Sequence, residues 1–133
     1  MSNSSDRLLR VLTAAYGLVF LASSLQNFGL RLSIGPLDFY FGEPIWQAGA
    51  GEAVIGVLLV AAAVRENRPL YWIAYVLSVL GIAFGLSSAR VVGAAREIHL
   101  VLVPLAATGL SILAWRRIGT LKRLLGGGRS AVR

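Results

Sequence analysis

Cysteine is absent from this chain, and charged residues of both signs are scarce. Without cysteine the protein has no disulfide, no thiolate metal ligand and no thiol nucleophile. Charged residues form 14% of the sequence and hydrophobic residues 56%, against about 25% and roughly 45–50% in a typical soluble domain. A soluble domain of 133 residues has a large surface to cover relative to its core. The composition therefore predicts a single domain whose surplus apolar surface lies in lipid.

Four apolar stretches are each close to the roughly 20 residues that a membrane-spanning helix needs. They cover residues 8–25, 45–64, 70–89 and 98–115. A short charged turn before Pro69 separates the second stretch from the third, and the glycine-rich basic segment 119–133 is predicted to be a flexible tail. The predicted fold is all-α and integral to the membrane: one domain, residues 1–133, built as a bundle of four transmembrane helices.

The first stretch also has features of a cleavable signal peptide. Arg7 and Arg10 precede an apolar run, and Ala22-Ser23-Ser24 resembles a small-residue cleavage site. Cleavage would leave three helices and place the new N-terminus outside. An uncleaved first helix fits the even number of spans better, so we expect the first stretch to remain in the protein as a transmembrane helix.

The distribution of lysine and arginine predicts the orientation of the chain. Ten basic residues lie on one side of the predicted spans: Arg7, Arg10, Arg65, Arg68, Arg116, Arg117, Lys122, Arg123, Arg129 and Arg133. Three lie on the other side: Arg31, Arg90 and Arg96. Because cytoplasmic loops carry the excess of basic residues, we expect a multi-pass protein of the cell membrane with both termini in the cytoplasm. The basic residues flank apolar runs and form no stripe with interleaved aromatics, which argues against nucleic acid as a partner.

The first outer connection contains a candidate β-hairpin over residues 30–41. The segment Leu-Arg-Leu-Ser-Ile at 30–34 alternates apolar and polar residues, and Gly35-Pro36 follows as a two-residue turn. That turn pairs residue 34 with 37 and residue 33 with 38, and it places the apolar side chains on one face. Such a hairpin would lie as a lid over the outer end of the bundle. An irregular aromatic loop at the level of the lipid headgroups is the alternative.

Glu52 is the one acidic residue inside a predicted span. It follows Ile45 by seven residues, which places it about 10 Å into the helix at 1.5 Å per residue. A carboxyl at that depth costs roughly 2.5–3.5 kcal/mol on insertion scales, so it has to face protein or water. Ala48, Gly49 and Gly56 flank it at helical spacing and form a small-residue face suited to close helix packing. Glu52 is the leading candidate for a functional residue, and a structural hydrogen bond to another helix is the alternative.

The candidate partners of Glu52 are polar residues predicted near the same membrane face. They are Gln26, Asn27, Arg90, Arg96 and His99. The single histidine, His99, is a candidate proton relay or metal ligand, with an interfacial hydrogen bond as the alternative. One histidine among scattered carboxylates lacks the spacing of metal ligands, so no metal site is predicted. Gly81 and Gly85 form a GxxxG motif on the third span, which favours close helix contact within the bundle or between protomers.

Two segments resemble the DoxX-like family of small four-helix membrane proteins. In the first span Arg10 precedes Gly-Leu-Val-Phe at 17–20, which is similar to that family's arginine followed by Gly-Leu-x-Phe. In the second span Glu52 is followed by Gly56 and a leucine-rich run, again similar to the family. Where the family often has Gly and Lys near the end of the first helix, residues 24–27 here read Ser-Leu-Gln-Asn, so no Lys–Glu52 ion pair is expected. The resemblance implies roles in quinone-dependent sulfur oxidation or in redox-stress complexes, with quinone as the implied cofactor.

Three functional hypotheses follow from these features. The leading one is a non-enzymatic accessory or binding subunit with an outer-leaflet pocket around Glu52, serving a larger membrane complex such as a redox complex. The second is a small proton-coupled transporter that works as a homodimer and exchanges protons at Glu52. The third is a quinone-linked oxidoreductase subunit. No catalytic residue is predicted, because the serine pairs Ser23-Ser24 and Ser87-Ser88 lack a paired base.

The predicted orientation is tested by a fusion at residue 133. A reporter enzyme that is active only outside the cytoplasm should give no signal there, because the basic side of the bundle stays in the cytoplasm. The same reporter placed in the first outer connection should be active. A strong signal from the fusion at residue 133 would overturn the orientation.

Overall fold

The computed structural model describes residues 4–30, 33–34, 37–38, 46–87 and 94–130. In this part of the chain α1 covers Ser4–Asn27, α2 covers Trp46–Arg65, α3 covers Arg68–Ser87 and α4 covers Ala94–Ser130. Two short strands, β1 at Ser33–Ile34 and β2 at Leu37–Asp38, lie between α1 and α2.

All four helices contain a segment long and apolar enough to cross a membrane, and the segment in α4 is His99–Gly126. The prediction of four such helices is confirmed. The sequence predicts a flexible tail over 119–133, but α4 continues to Ser130. Leucine, lysine and arginine occupy positions 121–125, and these strong helix formers extend the helix beyond the predicted span.

The two strands pair antiparallel, with Ser33 opposite Asp38 and Ile34 opposite Leu37. Of the hairpin predicted over 30–41, Leu30 and these four strand residues are described, whereas residues 31–32, 35–36 and 39–41 lie outside the described part of the chain. The hairpin as a whole, with its apolar face on the bundle, therefore stays a prediction.

Two local signals define the ends of α1 and α3. Gly29 adopts a φ of 95°, a backbone angle that residues other than glycine rarely adopt. Its N–H donates to the carbonyl of Gln26 at 2.9 Å. The N–H of Leu30 reaches the carbonyl of Leu25 at 3.1 Å, which completes a Schellman motif directly after α1. At the start of α3 the Asn67 side chain accepts the N–H of Leu70 at 3.1 Å and caps the helix.

The helices pack in a ring in which each contacts its neighbours along the chain and α1 also contacts α4. Tyr75 of α3 fills the centre of this ring. The phenol ring of Tyr75 stacks on that of Tyr16 of α1, with centroids 5.6 Å apart. The hydroxyl of Tyr75 forms a hydrogen bond with the hydroxyl of Thr13 at 2.8 Å. Gly109 of α4 leaves the space that the Tyr75 ring occupies. These buried residues join three of the four helices at the middle of the bundle.

Glycines bring the backbones of α1 and α2 into contact along a line that we call the glycine seam, formed by Gly17, Gly49 and Gly56. A Cβ atom built on Gly56 would lie 2.8 Å from Cγ of Leu21 and 3.0 Å from the carbonyl oxygen of Gly17. A Cβ on Gly17 would lie equally close to the Gly56 carbonyl. Both distances are shorter than ordinary van der Waals contact, so only glycine fits at this crossing.

Replacing Gly56 by alanine should force α1 and α2 apart. We expect Gly56→Ala to destabilise the bundle by about 1–3 kcal/mol, the usual cost of overpacking a closely packed site. Gly51→Ala on the same helix is the matched control, because a Cβ there meets no atom within 4 Å. The measurement is thermal unfolding in detergent. Equal unfolding temperatures for the two variants would contradict the glycine seam.

Candidate functional site

The site begins with a hydrogen bond between α1 and α2. The side-chain amide of Asn27 donates from Nδ2 to Oε2 of Glu52 at 2.7 Å. A Cβ built on Gly49 would lie 3.1 Å from Cβ of Asn27, so the glycine seam sets the close approach of this asparagine to α2. The Schellman motif ends α1 immediately after Asn27 and fixes its position as the last helical residue. Local structure and helix packing thus both direct the amide to the carboxyl.

A second side chain of α1 and one from α4 complete the group around Glu52. The side chain of Ser23, one turn before Asn27 on α1, lies close enough to interact with the carboxyl. His99 of α4 is buried and lies close enough to interact electrostatically with the carboxyl. The imidazole packs over Gly85 of α3, where any Cβ would collide with it. We call Ser23, Asn27, Glu52 and His99 the Glu52 cluster.

Gln26 adds a buried polar atom at the same end of the bundle. Its exposed fraction is 8%, and within the described part of the chain its Oε1 atom has no hydrogen-bond partner. A buried acceptor without a donor costs about 1–3 kcal/mol. A ligand that donates a hydrogen bond to this amide oxygen would therefore bind favourably.

The structure brings some of the predicted site residues together and leaves others apart. Glu52, Asn27 and His99 meet in the Glu52 cluster, and Gln26 is buried next to Asn27 in the chain. The side chain of Arg96 is exposed near the start of α4, and Arg90 lies outside the described residues. The described residues contain no group of three side chains suited to holding a metal ion.

The four glycines predicted to pack helices all lie at contacts inside the bundle. Gly49 and Gly56 belong to the glycine seam between α1 and α2. A Cβ on Gly81 would lie 2.9 Å from Cδ1 of Ile55, which places this glycine at the contact of α3 with α2. Gly85 accommodates His99 of α4. The GxxxG pair of α3 thus contacts two different neighbouring helices of the same chain.

Sequence reasoning missed Ser23 as a member of the site, because it was read as an ordinary polar residue near a helix end. The signal was its spacing: a residue four positions before Asn27 lies on the same helical face. Sequence reasoning also missed the hydroxyl pair of Thr13 and Tyr75, whose sequence separation leaves no local pattern.

The chemistry of the Glu52 cluster is that of proton and hydrogen-bond exchange. A carboxyl accepts two or more hydrogen bonds, and the amide of Asn27 supplies one while the hydroxyl of Ser23 is a further donor nearby. The cluster is suited to binding a polar group or to carrying a proton.

Comparison of this chain with protein-family models, with curated proteins and with solved structures finds no match. The resemblance to the DoxX-like family therefore rests on the sequence segments quoted above and stays a prediction.

The hydrogen bond between Asn27 and Glu52 is tested by a double-mutant cycle. We expect Asn27→Ala and Glu52→Ala to show a coupling free energy of about 0.6 kcal/mol, the average for hydrogen bonds between membrane helices. Unfolding in detergent or mixed micelles provides the measurement. Asn27→Ala combined with Glu97→Ala is the matched control and should show no coupling, because Glu97 is exposed on α4. Additive effects of Asn27→Ala and Glu52→Ala would contradict the hydrogen bond.

Proposed function

We propose that this chain is a multi-pass protein of the cell membrane, with both termini in the cytoplasm. Large apolar side chains on its outer surface support this placement. Phe84 is 75% exposed, Val101 62% and Leu80 60%, which would be unfavourable in water over so many residues. Trp46 and Trp115 are also exposed, at 68% and 76%, as amphipathic side chains at a lipid–water interface are.

In this membrane the protein serves as an accessory or binding subunit, and the Glu52 cluster is its binding site. The single observation that carries the proposal is the hydrogen bond from Asn27 to Glu52 within a group to which α1, α2 and α4 all contribute. A carboxyl in a spanning helix is costly, and intramembrane ionisable groups that persist usually serve a ligand or proton pathway. A merely structural bond would not require the histidine, or the buried amide oxygen of Gln26, which has no hydrogen-bond partner among the described residues.

The ligand that fits this site has a polar head with a hydrogen-bond donor and an apolar body. The donor would satisfy Gln26 or Glu52, and the body would lie against the apolar helices. Membership of the DoxX-like family, which we also propose, supports a redox complex as the partner and a quinone as such a ligand. The hairpin predicted over 30–41 would then cover the site as a lid.

A second candidate function is favoured by the position of His99 beside Glu52. A carboxyl and an imidazole at the same end of a small bundle suit a proton-coupled transporter working as a homodimer. The two functions differ in a measurable way. A transporter gives proton-dependent flux in liposomes without other proteins, whereas a binding subunit co-purifies with a larger complex and gives no flux. A quinone-linked oxidoreductase subunit would in addition show redox turnover of the bound quinone.

Substituting Glu52 separates a functional from a structural role. Glu52→Gln keeps the shape and a carbonyl acceptor for Asn27 but removes the charge and the exchangeable proton. We expect it to leave the unfolding temperature nearly unchanged while it abolishes retention of the partner complex or ligand in mild detergent. Glu97→Gln, at an exposed position, is the matched control and should retain both.

The hydrophobic variant Glu52→Leu completes the test. If Glu52→Gln retains full partner or ligand binding and Glu52→Leu unfolds the protein, Glu52 is a structural residue and the proposed function is wrong. Proton flux from the purified protein that is lost in Glu52→Gln would replace the binding function by the transporter.

A further inference from the structure

A groove of about 320 Å³ lies between α3 and α4 at the end of the bundle opposite to the Glu52 cluster. Three arginines line it: Arg68 from the first turn of α3, with Arg116 and Arg117 from α4. The rest of the lining is largely apolar and includes Trp72 and Leu113. We call this feature the arginine groove. It thus combines cationic groups and apolar surface in one concave site.

The charges of the arginine groove are only partly balanced within the protein. Asp6 of α1 forms an ion pair with Arg116, which holds that guanidinium at the edge of the bundle. In the described part of the chain no carboxylate lies within ion-pair distance of Arg68 or Arg117. The first turn of α3 adds the positive end of a helix dipole at Arg68. The groove therefore carries an excess of positive charge that suits an anion.

The nature of the lining selects the kind of anion. Guanidinium groups bind phosphate oxygens in a bidentate manner, and a free phosphate would gain nothing from Trp72 or Leu113. An anionic phospholipid has both parts, a phosphate for the arginines and an acyl chain for the apolar wall. We propose that the arginine groove binds the headgroup of an anionic phospholipid from the cytoplasmic leaflet. This inference rests on the membrane placement proposed above and not on the role of Glu52.

The phospholipid proposal is tested by titrating delipidated protein in nonionic detergent with phosphatidylglycerol or with phosphatidylcholine. Native mass spectrometry counts the bound lipid. We expect phosphatidylglycerol to bind more tightly, and we expect Arg68→Gln and Arg117→Gln each to weaken it roughly fivefold, the effect of one basic residue near an anionic membrane surface. Arg123→Gln is the matched control, because Arg123 is an exposed arginine of α4 outside the groove. Equal weakening by Arg123→Gln would overturn the site, since the effect would then be one of net charge.

Two further measurements test whether the lipid binds in the arginine groove. Thr120→Trp fills the groove while it keeps all three arginines, so it should also reduce binding of phosphatidylglycerol. If Thr120→Trp retains the binding of phosphatidylglycerol, the groove is not the site. If inorganic phosphate displaces the lipid as well as phosphatidylglycerol itself does, the ligand is not a phospholipid. Glu52→Gln should bind phosphatidylglycerol like the wild type. Loss of lipid binding in the arginine variants alone, or of partner binding in Glu52→Gln alone, reports separately on the two proposals.

Discussion

The contact between Gly17 and Gly56 determines how close α1 and α2 can come, and the Glu52 cluster depends on that distance. Each glycine leaves the space into which the opposite backbone or side chain fits. Further along the same face of α2, Gly49 admits Asn27, and between the two lies Glu52. In lipid a small-residue face of this kind replaces the hydrophobic driving force by close van der Waals packing. The same face that packs the helices therefore also delivers the hydrogen-bond donors to the carboxyl.

The polar groups of the bundle divide into three levels with different roles. At the middle, the hydroxyl groups of Thr13 and Tyr75 share a hydrogen bond between α1 and α3. At one end the Glu52 cluster gathers a carboxyl, an amide and an imidazole. At the other end the arginine groove presents guanidinium groups beside apolar side chains. The middle level joins the helices of the bundle, and the two ends carry the binding sites that we propose.

The sequence was sufficient to predict the helices and the principal residues of the Glu52 cluster. Apolar run length identified all four helices, and the cost of a carboxyl within a span identified Glu52 and its need for a partner such as Asn27. Helix ends were predicted less well, since α4 continues through residues that the glycines suggested were a tail. The length of the apolar run underestimates the length of this helix, because leucine and basic residues extend it past its apolar part.

Features that depend on the packing of distant helices could not be predicted. The pairing of Thr13 with Tyr75 and the arginine groove between α3 and α4 arise only once the helices occupy their places in the ring. Ser23 is an intermediate case. Its spacing from Asn27 predicts the helical face on which it lies, but the residue that it contacts is on another helix. The basic residues of the groove were read as determinants of orientation, and their charge pattern alone does not distinguish that role from lipid recognition.

The hydrogen bond between Asn27 and Glu52 is the contact on which the candidate site depends, and it can be observed directly in a bilayer. Solid-state NMR of protein labelled with ¹⁵N in asparagine and ¹³C in glutamate reports close pairs of an amide nitrogen and a carboxyl carbon. The structure predicts a cross-peak between the Asn27 side-chain nitrogen and the Glu52 carboxyl carbon that disappears in Asn27→Ala. Absence of that cross-peak in the folded wild-type protein would contradict the site.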